Sequence, residues 1–185
     1  MKRPDGAAAR AALADSVLLA VACLVSYLLV SNVLARVHSV SPDDDLLGGM
    51  WAVLATIFVN RSSLRESRTA AVSRVAATLV SFVYCLIYLA FLPFHPWALP
   101  VLIGASALTA TLIGRPGDAS TAAITSAVIL VVAAVSPHDA WQQPILRFVD
   151  TVIGVAVGLG SDWVGQRFIR PRLDRLIPGG SYSES

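Results

Sequence analysis

RFVDTVIGVAVGLGSDW, residues 147–163, is long and apolar enough to cross a bilayer, yet it holds Arg147, Asp150 and Asp162. At helical spacing Arg147, Thr151, Gly154, Gly158, Ser161 and Gly165 fall on one stripe, in alternating steps of four and three. Small and polar residues headed by a charge let a membrane helix pack closely on a neighbour or line a wet cavity. Gly154 and Gly158 are the packing candidates. Val149, Val152, Ile153 and Val157 occupy the other side and suit lipid.

The rest of the chain agrees with a membrane setting. Hydrophobic residues make up 56% of the 185 and charged residues 14%, against roughly 25% charged in an average soluble domain. The apolar residues come in long blocks, which predicts an integral membrane protein of six transmembrane helices, all-α, with no room for a soluble enzyme core. The blocks run over about 17–37, 46–63, 69–92, 97–114, 119–136 and 145–169. Residues 1–14 then form a basic, cytoplasmic N-terminal segment, 15–170 the six-helix domain and 171–185 a short cytoplasmic tail. The basic start followed by an apolar block also resembles a signal peptide. The block is longer than a usual signal core, and it is read here as the first transmembrane helix. Cys23 and Cys85 both sit inside apolar blocks, so neither a disulfide framework nor a metal site is expected.

Charge placement predicts orientation. Lysine and arginine are confined to the N-terminus, the 61–74 segment, the turn at Arg115 and the chain from Arg167 onward, except for Arg36 and Arg147. The positive-inside rule places those regions, and both termini, in the cytoplasm. Asp43 to Asp45 and Asp139 fall in loops assigned to the outside. Trp51, Trp97 and Trp141 are expected at the outer interface and Trp163 near the inner one. Lys2 is the lone lysine of the chain and Ala and Val abound, which points to a GC-rich bacterial genome.

The opening stripe has an earlier copy. Arg147, Thr151 and Gly154 are matched at an offset of 73 residues by Arg74, Thr78 and Ser81, and Gly158 by Cys85. Each half holds three spans, so the copies run in opposite directions, giving two inverted three-helix repeats. In transporters of that design the binding site lies between the halves. The second and fifth spans are the shortest and correspond, which directs attention to Thr56, Asn60, Thr125 and Ser126. The plain alternative for those four is ordinary contact between helices.

The charges leave alternatives open. Arg147 and Asp150 are three apart and can pair, while Arg74 has no helical acid at that spacing, although Glu66 is near. Both arginines lie close to helix ends, where a long side chain can snorkel to the interface. Contact with an anionic substrate is the other reading. Asp162 either relays protons or packs with Gln166. His38, His95 and His138 match no metal-ligand spacing and read as loop histidines. Nothing in the sequence points to a phosphate-binding loop, a cofactor or nucleic acid; the basic loops are explained by topology and anionic lipid.

The run WAVLATIFVNRSSLRESRTAAVSRVAATLVS, residues 51–81, resembles the second-to-third-helix signature of the fusaric acid resistance and aromatic acid exporter superfamily. That signature opens its helix Arg-x-x-Gly-Thr-x-x-Gly; Ala77 and Ser81 stand at the glycine positions. Arg147-x-x-Asp150-Thr151-x-x-Gly154 is similar to the second-half motif. The resemblance implies a bacterial inner-membrane exporter of aromatic or other organic acids, driven by the proton gradient and served by a periplasmic adaptor protein. It also extends to aluminium-activated malate channels, which are dimeric anion pores. For a unit of this size it implies a homodimer. The substrate-binding candidates are then Arg74, Thr78, Arg147, Asp150, Thr151 and Asn60, with Asp162 for proton coupling. A passive anion channel and a non-transporting accessory subunit are the other two function classes.

Overall fold

The computed structural model describes residues 6–34, 42–61, 63–135, 140–169 and 171. Six helices account for almost all of them: α1 (Gly6–Leu28), α2 (Pro42–Val59), α3 (Leu64–Phe91), α4 (Ala98–Leu112), α5 (Ala119–Val135) and α6 (Gln142–Val164). Wide π-type turns extend α1 over Leu29–Leu34 and α6 over Gly165–Ile169. Among the described residues there are no strands.

Local chemistry fixes the ends. Ser63 caps α3, its Oγ accepting the Glu66 N–H at 3.3 Å, a Ser-x-x-Glu start. That start lies earlier than apolarity alone suggests, so Arg65 and Arg68 are helical residues and not loop residues. Pro93 ends α3, since it has no N–H to continue the ladder. Gly114, at φ +81, closes α4, with its N–H on the Thr111 carbonyl and that of Arg115 on Ala110. This is the left-handed cap that glycine adopts without steric cost.

Among the described residues four helices are long and apolar enough to cross a membrane: Ala12–Asn32, Leu64–Phe91, Pro116–Val135 and Gln142–Ile169. The apolar parts of α2 and α4, Leu46–Val59 and Ala98–Leu112, are shorter. The expected pairing of short second and fifth spans therefore does not hold. A 3-10 turn at Pro116–Asp118 stacks onto α5 and lengthens it, while the bend at Pro93 and Pro96 delays the start of α4. At 15 residues α4 is about 22 Å long, against a hydrocarbon core of roughly 30 Å.

The amphipathic α6 packs chiefly on α2 and α3, with α1 and α5 at its sides; α4 closes the far side against α5. Close approach depends on the glycines. A Cβ at Gly154 would overlap the carbonyl oxygen of Ala52 and lie 2.8 Å from Ala55 Cβ; one at Gly158 would sit 3.2 Å from the Thr56 oxygen. Across this seam Thr56 Oγ1 donates to the Gly154 carbonyl at 3.0 Å and meets Ser26 Oγ of α1 at 2.5 Å. Ser126 of α5 reaches Ser106 of α4, and Ser81 of α3 donates to the Ala122 carbonyl of α5. Thr56, Thr125 and Ser126 are thus buried in contacts between or along helices.

The buried faces of α3 and α6 match at the offset of 73. Arg74, Ala77, Thr78, Ser81, Cys85 and Leu89 are buried, and so are Arg147, Asp150, Thr151, Gly154, Gly158 and Asp162.

Candidate functional site

Arg74 lies about 15 Å along the α3 axis from Leu64, well inside the span. Its side chain does not snorkel: the residue is 4% exposed. The guanidinium carbon sits 5.2 Å from the ring centroid of Trp51 and 4.7 Å from that of Phe58, both on α2. Trp51 and Phe58 are seven apart, hence on one helix face, and together they bracket the charge. Among the described residues Arg74 makes no ion pair, and its Nε and the nearby Thr78 Oγ1 have no hydrogen-bond partner.

Magnitudes show how far the two rings offset the cost of burying this charge. Placing an arginine at the centre of a span costs roughly 2.5–3.5 kcal/mol on insertion scales. Two desolvated cation–π contacts of about 1–2 kcal/mol each offset most of that. Rings stabilise the charge but accept no hydrogen bond from the Nε–H. An oxygen acceptor bearing negative charge would satisfy both.

Trp51 was expected at the outer interface; instead it is 6% exposed and donates Nε1–H to Thr151 Oγ1 at 3.0 Å. The interface rule reads position along an apolar block, and α2 begins at Pro42, so Trp51 falls mid-helix. Trp97, Trp141 and Trp163 are exposed. Thr151 Oγ1 in turn donates to the Arg147 carbonyl at 2.8 Å, which ties Trp51 to the half of α6 nearer Gln142.

Arg147 does not reach the surface either. Its Nη1 lies 3.2 Å from Asp150 Oδ2, with both side chains 2% exposed. Asp150 faces Gly48 of α2, where a Cβ would stand 3.1 Å from each carboxylate oxygen. The two arginines therefore differ in kind: Arg147 has its countercharge on the same helix, and Arg74 is held on rings.

Asn60 and Asp162 form a separate cluster at the other end of α6. Asp162 accepts from Asn60 Nδ2 at 2.7 Å, Ser67 Oγ at 2.5 Å and the Arg61 backbone N–H at 3.4 Å, pinning the α2–α3 turn to α6. Asn60 is therefore not beside Arg74. A cavity of about 400 Å³ borders this cluster, lined by Asp15, Asn60, Arg61, Asp162 and Gln166. His95 is exposed and lies against the Pro93 carbonyl; His38 and His138, like Asp43 to Asp45, fall outside the described residues or their described side chains. Among the described residues no group of three metal-ligating side chains occurs.

The ring bracket and Ser67 were not singled out in the sequence. The seven-residue spacing of Trp51 and Phe58 was the available signal for the first. Ser67 had none, since its partner is 95 residues away.

The family described as fusaric acid resistance protein-like matches residues 29–160. The chain belongs to that family. The match includes Trp51, Phe58, Arg74, Arg147 and Asp150 and ends just before Asp162. No curated protein and no solved structure gives a match. Membership of the fusaric acid resistance protein-like family, with the membrane-spanning helices, makes this a multi-pass, transport-related membrane protein.

Proposed function

We propose that the protein exports organic acids, aromatic carboxylates above all, across a bacterial inner membrane. The observation that carries this reading is Arg74: a buried guanidinium bracketed by Trp51 and Phe58, with no carboxylate partner among the described residues. A carboxylate satisfies its Nε–H, Thr78 supplies a hydroxyl beside it, and the rings accept an apolar or aromatic body. Thr151 holds Trp51 in place, and the Arg147–Asp150 pair fixes that part of α6 and offers a second cation on the outer side. Asn60 and Asp162 stand at the cytoplasmic end, where Asp162 is the group to couple transport to protons.

Two inverted halves fit this reading. The matched buried faces of α3 and α6 support it, and so does the packing of α2 on α6 and of α5 on α3. Both termini are then cytoplasmic, the working unit is a homodimer in the bilayer, and a periplasmic adaptor receives the product.

Proteoliposomes loaded with labelled benzoate test the proposal. Wild-type protein should release it faster than empty liposomes, and Arg74→Gln should slow release by about tenfold or more, as expected for loss of a charge-assisted contact. Release by Arg74→Gln at the wild-type rate removes Arg74 from the path. Release that ignores an imposed proton gradient would assign the protein to passive anion channels instead.

A further inference from the structure

We propose that the depression at the Leu64 end of α3 is a collecting site for carboxylate or phosphate groups, built by Arg61 and Arg65. The depression measures about 610 Å³, a size suited to a small organic acid, and Ser63, Thr69 and Ser73 contribute to its wall. Arg61 and Arg65 make no ion pair among the described residues. Glu66 is the acidic residue on the wall, so the surface keeps a net positive charge.

The donors available to a ligand can be identified. Thr69 donates to the Arg65 carbonyl at 3.0 Å, and Ser73 donates to Asp118, so the protons of both hydroxyls are already engaged. Ser63 Oγ accepts from Glu66 and keeps its own proton. Arg61 also donates Nη1–H to the Asn60 carbonyl at 3.5 Å, which leaves its other N–H groups, the Arg65 guanidinium and the Ser63 hydroxyl on the wall as donors for a carboxylate or phosphate. Its floor includes Ala70, one helical turn before Arg74 on the same face of α3. An anion gathered here is one turn from the buried guanidinium. That loading role rests on the function proposed above; the binding site itself does not.

The source of the anionic group is either a free acid or a lipid headgroup, because the depression lies at the first, polar turns of a helix long and apolar enough to cross a membrane. Full-length protein in phosphatidylcholine nanodiscs, probed with 4-fluorobenzoate by fluorine NMR, tests the site. In an Arg74→Gln background, which removes the buried guanidinium, salt-sensitive binding is expected, weakened about tenfold by adding Arg61→Gln/Arg65→Gln. Arg68→Gln, whose side chain is outside the depression, should bind as wild type. Arg74→Gln should retain this surface binding even where transport is lost, which separates failure of the site from failure of the proposed function. Adding phosphatidylglycerol assigns the source: displacement of the probe from Arg74→Gln protein identifies the headgroup phosphate as occupant, and no displacement identifies the free acid. Unchanged binding on adding Arg61→Gln/Arg65→Gln, or an equal loss in Arg68→Gln, overturns the proposal.

Discussion

Gly154→Ala is expected to destabilise the protein severely, whereas Gly160→Ala, six residues along the same helix, is expected to be tolerated. The added methyl at Gly154 meets the Ala52 carbonyl oxygen, which is backbone and has no rotamer to yield, and then Ala55 Cβ at 2.8 Å. α2 would have to move away from α6, disturbing the Thr56 bond to the Gly154 carbonyl and the Trp51 bond to Thr151. Overpacking of this kind costs about 1–3 kcal/mol and more where backbone must shift. Nothing lies within 4 Å of a Cβ at Gly160, so alanine there should be neutral or gain a little helix propensity. Thermal unfolding of the detergent-solubilised variants checks the contrast. Equal midpoints for the two would mean that α2 and α6 do not approach as described.

A second large effect is expected at Asp150. Asp150→Asn keeps the volume beside Gly48 but removes the countercharge of Arg147, which is 1% exposed. Breaking one partner of a buried pair typically costs about 3–5 kcal/mol, because the remaining charge stays desolvated. Removing both charges, as Arg147→Gln/Asp150→Asn, should recover a large part of that loss. The double-mutant cycle therefore has a strong coupling term, on the order of 2 kcal/mol. Additive effects would show that the two side chains are held apart by other partners.

How far the sequence reaches is visible in these residues. The α6 stripe picked out Gly154 and Gly158 as packing residues by periodicity alone, because close approach demands small residues on one face. The Arg147–Asp150 pair followed from spacing on one helix. Trp51 was misplaced because an interface rule depends on where a helix starts, and α2 starts at Pro42. The start of α3 was placed too late because its first turns are polar: the Ser63–Glu66 cap, not apolarity, sets it. Asn60 was assigned to a substrate path, yet its partner Asp162 is 102 residues distant. Contacts of that separation are decided by packing of whole helices, and no local rule reads them. The ring bracket on Arg74 is of the same kind.

The most direct measurement of anion binding at Arg74 uses Trp51 itself as the reporter. Trp97, Trp141 and Trp163 are exposed, so replacing each with phenylalanine leaves one buried indole beside the guanidinium. Benzoate added to this single-tryptophan protein should change Trp51 fluorescence saturably, and the change should vanish in Arg74→Gln while surviving, weakened, in Arg74→Lys. A titration in which Trp51 does not respond, or responds equally with Arg74→Gln, would contradict the assignment of Arg74 as the carboxylate ligand.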